Sequence, residues 1–182
     1  MPYTTIDKSS LHFNTKLYTG NESAGHAITG IGFEPSFTWF KNTGATDSHS
    51  MYDAVRGVTK QIEADTSGAE TTESTGLASF DSDGFTVGTR TASNSNNMSI
   101  CSWNWKAGTT SGIATNGSTV ITPSAYSFNQ TSGFSVVKYT GNGNTTTKVA
   151  HGLGAAPKMI IIKKTSAAGD NLSLIHISEP TR

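Results

Sequence analysis

Three tryptophans, Trp39, Trp103 and Trp105, carry the most suggestive chemistry in this chain. Indole faces pack against pyranose rings, so three of them on one surface make a sugar-stacking platform. The competing reading is a core, which large aromatics dominate in small β proteins. In "ICSWNWK", Trp103 and Trp105 share a side with Cys101 and alternate with Ser102, Asn104 and Lys106. In "SFTWFKN", Phe37 and Trp39 alternate with Thr38 and Phe40. A period of two puts each set on one face of a strand. The expectation is that the tryptophan set faces the core and Lys106 faces solvent. Trp39 is kept beside this reading as a candidate ligand-binding residue.

Charged groups supply further candidates. Asp53 and Arg56 in "YDAVRG" suit recognition of a charged ligand, and a structural ion pair beside a turn is the preferred account. Asp81 and Asp83 offer hard carboxylate oxygens of the kind calcium takes. Their spacing lacks the distal Glu of a calcium loop, and turn formation explains both, so no metal and no cofactor are expected. Catalysis has little support. Jelly-roll glycosidases need two carboxylates flanking the scissile bond. Their strand signature, Glu-x-Asp-x-x-Glu, is absent: Glu63-Ala-Asp65 continues as Thr-Ser-Gly. His12, His26, His49, His151 and His176 are scattered, and no Gly-x-Ser-x-Gly elbow or Cys-His pairing occurs. Asn-x-Ser/Thr triplets at Asn21 and Asn116 follow from composition when no signal peptide precedes them.

The elements that must position these residues are short strands. Gly, Ser, Thr and Asn are abundant, and the residues that favour long helices are sparse. Eight Phe, five Tyr and three Trp still supply a core. Around Gly57, "SMYDAVRGVTKQIE" reads as two strands, the second over 60–63. "LASFDSDGFTVG" reads as a hairpin turning at Asp83-Gly84. Many short strands with one-sided faces predict an all-β antiparallel sandwich.

Thirteen basic and thirteen acidic residues cancel. With no basic stripe, electrostatic binding to nucleic acid is not expected. No apolar run approaches a membrane span, and "MPYTTIDKSS" has no apolar h-region of a secretory signal. Cys101 is the only cysteine, so no internal disulfide forms. The composition resembles a secreted sandwich, whereas the missing signal and disulfides look cytosolic. A virion protein, assembled inside a cell and working outside it, satisfies both.

The chain repeats itself. "FNTKLYTGN" at 13–21 recurs as "FSVVKYTGN" at 134–142, and "ITGIGFEPSFTWFKNT" recurs as "VAHGLGAAPKMIIIKKT". Gly30, Gly32, Pro35 and Lys41 match Gly152, Gly154, Pro157 and Lys163. Each copy reads as a strand, a short strand ending in Gly-x-Gly, then Pro at the entry to a third strand. In the second copy these strands are expected near 134–139, 148–151 and 159–163, the last apolar on both faces. The expected organisation is a first sandwich over 1–108, a linker over 109–125 with a turn at Asn116-Gly117, and an unfinished second unit over 126–171. The final stretch, "LSLIHISEPTR" at 172–182, back-translates to a string resembling a transposase sequencing adapter, and is expected to be foreign to the fold.

The segments "YTTIDKSSLHFNTKLYTGN", "GIGFEPSFTWFKN", "YDAVRGVTK", "SFDSDGFTVG", "CSWNWKAG" and "KVAHGLGAAPKMIIIKK" resemble a family of marine bacteriophage structural proteins. Its members carry tandem domains of unknown function with a concanavalin A-like, laminin-G-like jelly-roll character. The resemblance implies a non-enzymatic virion component, tail- or fibre-associated, that binds host-surface carbohydrate. Other virion proteins and a host glycan are the implied partners, with homo-oligomers open and no membrane insertion. A polysaccharide depolymerase on the same scaffold and a bacterial surface adhesin are the alternatives.

Overall fold

Alternating burial along β3 (Phe37–Asn42) shows how the chain is layered: Thr38, Phe40 and Asn42 are buried, while Phe37, Trp39 and Lys41 are half-buried. The strand belongs to a computed structural model that describes residues 6, 8–115, 121–144 and 148–168. The expectations for 172–182, for His176 and for Asn116-Gly117 lie outside the described residues.

The fold is all-β and antiparallel, as the composition and turn spacing imply. One sheet has six strands: β1 (Phe13–Thr19), β9 (Ser99–Trp105), β3, β4 (Ser50–Asp53), β5 (Lys60–Glu63) and β6 (Thr71–Thr72), adjacent in that order. The other has three, with β8 (Gly84–Val87) between β2 (His26–Thr29) and β7 (Leu77–Asp81). The core cluster between them includes Phe40, Tyr52 and Ile100 from the large sheet and Ile28, Leu77, Phe85 and Val87 from the small one. One helical turn, α1 (Thr91–Asn94), leads into β9.

Local chemistry explains the connections. The β7–β8 hairpin turns at Ser82-Asp83, one residue before the expected Asp83-Gly84 pair, because Asp81 pairs with Gly84 and Gly84 already opens β8. Asp83 then reaches the loop that follows the neighbouring strand β2. Its Oδ2 accepts from the Gly30 amide at 2.9 Å and its Oδ1 from the Gly32 amide at 2.6 Å. Its carbonyl accepts from Ile31 at 3.2 Å. Both glycines have positive φ, 79° and 91°, which a side chain rarely tolerates. Gly57, at φ 102°, breaks the chain between β4 and β5 as expected.

The tryptophans are where the sequence reading fails. Register places Trp105 between Phe13 and Phe37, and Trp103 between Thr15 and Trp39. This face points away from the core cluster. Trp39, Trp103 and Trp105 are half-buried, as is Lys106, while Ser102 and Asn104 are fully buried. The expected core set is thus the outer set. Polar residues survive inside because they bond one another: Thr38 Oγ1 donates to Asn104 Oδ1 at 3.0 Å, and Asn104 Nδ2 donates to the Asn14 carbonyl at 3.1 Å. A buried polar network of this kind is tolerated when its members are satisfied.

The second occurrence of the repeated sequence behaves differently from the first. β10 (Ala125–Asn129) and β11 (Phe134–Lys138) form a separate two-stranded sheet. Of the expected strand near 148–151, only an isolated bridge from Val149 to Ile121 forms. Residues 159–163, expected as a strand buried on both faces, are not a strand; Met159, Ile161 and Ile162 are 58, 41 and 43 % exposed. In the first occurrence β3 is clasped by β9 and β4. No described strand flanks 159–163, so its backbone has no ladder to join.

This part nevertheless packs on the first. Phe134 lies on Trp105, ring centroids 5.8 Å apart and 20° between planes. Thr109 and Phe128 exchange two backbone bonds, and Lys163 Nζ donates to the Thr66 carbonyl at 2.7 Å.

Candidate functional site

The outer face of the large sheet carries two aromatic rows. One row, Phe13, Trp105 and Phe37, has centroid distances of 4.8 and 5.3 Å and is capped by Phe134. The other, Trp103 and Trp39, is 6.3 Å apart and edge-on. Beside it the surface is open: Trp39, His49, Trp103 and Trp105 line a pocket of about 240 Å³. That is smaller than the roughly 300–1,000 Å³ of clefts that enclose drug-sized ligands, and it suits a ring lying on a platform.

His49 sets the platform's geometry. Trp39 Nε1 donates to His49 Nδ1 at 2.9 Å, so that nitrogen serves as the acceptor. The rings meet edge-on at 5.8 Å. The indole is thereby anchored at the edge of the pocket it lines. Exposed Leu17 (66 %) lies on the same sheet face, two residues beyond Thr15 on β1. Exposed apolar side chains grouped on one sheet face are the kind of surface that marks a place of contact. Cys101 shares the face but is buried, and burial pushes its thiol above the usual range, which makes it a poor nucleophile.

The other sequence candidates are engaged in structure. Asp53 and Arg56 form an ion pair at 2.5 Å with side chains 3 and 5 % exposed, and Glu70 joins Arg56 at 3.2 Å. Asp53 Oδ1 also accepts from the Val55 and Arg56 amides. Asp81 accepts from the Ser79 and Thr86 hydroxyls, and Asp83 from the two glycine amides. These carboxylates hold turns and strands together. Among the described residues, no group of three or more His, Cys, Asp or Glu could hold a metal.

A second cleft escaped the sequence reading. Gln61, Glu63, Thr66, Glu73 and Arg90 line a polar space of about 290 Å³ at the β5–β6 end. Arg90 joins both carboxylates, at 2.5 Å to Glu73 and 3.3 Å to Glu63. The free oxygens accept from the Thr75 and Thr66 hydroxyls. Glu73 is held below the usual carboxylate range, first by the Thr75 hydroxyl and further by Arg90. A glycosidase acid needs the opposite, a raised pKa that keeps its proton. Nothing in the spacing of Glu63, Glu73 and Arg90 along the chain signals that they converge. His49 was legible only as one of five scattered histidines.

No curated protein and no solved structure matches the chain. One family model does, over residues 8–179, a span that covers both occurrences of the repeated sequence and reaches into the 172–182 stretch. The chain therefore belongs to the family described as Domain of unknown function (DUF7483).

Proposed function

We propose that this chain is a non-enzymatic structural protein of a bacteriophage virion, carried on a tail or fibre, whose outer aromatic face binds host-surface carbohydrate. The observation that carries the binding half is the open surface at Trp39 and Trp103, with the Trp39 indole anchored by His49. The virion half is supported by the sequence resemblance. Other virion proteins are the partners this reading requires.

A glycan array probed with the purified chain tests the binding half. Trp39→Ala with Trp103→Ala should weaken any hit by about tenfold, the size expected for losing aromatic contact. Undiminished binding by the double variant would move the site elsewhere. Mass spectrometry of purified virions tests the location.

Glu63 and Glu73 in one cleft favour the depolymerase as second reading. Arg90 bridges the two, and Glu73 is held below the usual carboxylate range, the opposite of what a general acid needs. Reducing-end release from host polysaccharide, abolished by Glu63→Gln or Glu73→Gln, would establish the enzyme and overturn the non-enzymatic reading.

A further inference from the structure

We infer that the Gly152-Leu153-Gly154 loop is a carboxylate-binding nest that receives the turn aspartate of a β-hairpin supplied by a partner protein. The first occurrence of the repeated sequence shows the occupied form. There Gly30 and Gly32, with φ of 79° and 91°, turn their amides onto the two oxygens of Asp83. Asp83 sits at the tip of the β7–β8 hairpin, and β8 pairs along β2 immediately before those glycines. Consecutive amides in such a turn form a concavity for an anion.

The second occurrence repeats the positive φ of both glycines without that occupant. Gly152 and Gly154 have φ of 76° and 73°. No described residue accepts a hydrogen bond from either amide, and Leu153 donates instead to His151 Nδ1 at 3.2 Å. The loop is held ready by its surroundings. A Cβ at Gly152 would lie 2.6 Å from the Phe128 ring, and Gln130 Nε2 donates to the Gly152 carbonyl at 2.9 Å.

Charge points to the same occupant. The stretch 148–168 carries four lysines and no acidic residue. The hairpin that fills the first nest, 77–87, carries Asp81 and Asp83 and no basic residue. Exposed Met159, Ile161 and Ile162 follow the empty nest, where the first occurrence has the clasped strand β3. A partner hairpin with an acidic tip and apolar strands meets the charge and the apolar surface together, by strand addition.

The probe is a cyclised hairpin peptide of sequence 77–87, titrated into the ¹⁵N-labelled full chain. The expected result is a shift of the Gly152 and Gly154 amide resonances, with Gly30 and Gly32 unmoved. The Asp83→Asn version of the peptide should bind about tenfold more weakly, the usual loss for a charged acceptor. Three results overturn the inference: no shift at Gly152 and Gly154 with millimolar peptide, equal binding by the Asn peptide, or shifts confined to Gly30 and Gly32, which would mean exchange with the chain's own hairpin. The inference is independent of carbohydrate binding and fails or stands without it.

Discussion

Phe40 and Ile162 hold the same place in the two occurrences of the repeated sequence, five residues after Pro35 and Pro157. Phe40 is fully buried between two sheets, whereas Ile162 is 43 % exposed. The stretch around Phe40 is a strand bonded on both sides, and the stretch around Ile162 is no strand. Yet the glycines before each adopt the same positive φ. Local chemistry therefore reproduces the turn and does not reproduce the strand. A turn is decided by a few residues and their neighbours. A strand needs another strand's amides and carbonyls, and a buried face needs something to bury it.

Five changes separate or sharpen this contrast. The largest is Phe40→Ala, which should cost about 3–5 kcal/mol in urea unfolding, the range for removing a buried Phe. Ile162→Ala should cost well under 1 kcal/mol, since a partly exposed side chain loses little transfer energy. Equal costs would mean that 159–163 is packed as β3 is. Next, Arg56→Met leaves Asp53 and Glu70 without their buried cation and should cost about 3 kcal/mol, read from the same unfolding curves. The second occurrence has no ion pair of this kind among the described residues, so the loss belongs to the first unit.

Ending the chain after residue 115 removes Phe134 from the Trp105 face. Roughly 2 kcal/mol of burial is then lost from the ring alone, with red-shifted tryptophan fluorescence and more self-association. A better-behaved short chain would show that the second part adds nothing to the first sandwich. The smallest effect is Asp83→Asn. The Gly32 and Gly30 amides hold the Asp83 carboxyl below its usual range. A depressed folded pKa contributes stability above the unfolded value of about 3.9 that disappears as pH falls through the folded value. Wild type should therefore be the more stable protein at neutral pH, and the two should converge in acid. A difference that persists at pH 2 would assign the loss to shape instead of charge.

Much of the fold is legible along the chain because its signals are local. Asp83-Gly84 marks the β7–β8 turn to within one residue, Gly57 marks the break before β5, and alternation marks β3 and β9. The preferred account of Asp53 and Arg56 as a pair beside a turn also reads off neighbouring residues. The platform was not legible. Alternation groups Trp103 with Trp105 and Asn104 with Ser102, and hydrophobicity alone would turn the tryptophans inward. The cleft at Glu63, Glu73 and Arg90 is invisible for a related reason: it is assembled by β4–β5–β6 pairing and by the loop before α1.

What this sequence determines by itself is the class of structure and its punctuation: an all-β chain, where it turns, and which residues share a face. Tertiary structure alone decides which of those faces is the inside. The small sheet presents Ile28, Leu77, Phe85 and Val87, and the large sheet meets it with Phe40, Tyr52 and Ile100. Asn104, Thr38 and Asn14 go inward with them because they satisfy one another there. The tryptophans are left outside because a strand has two faces, and only the sheet stacked against it distinguishes them.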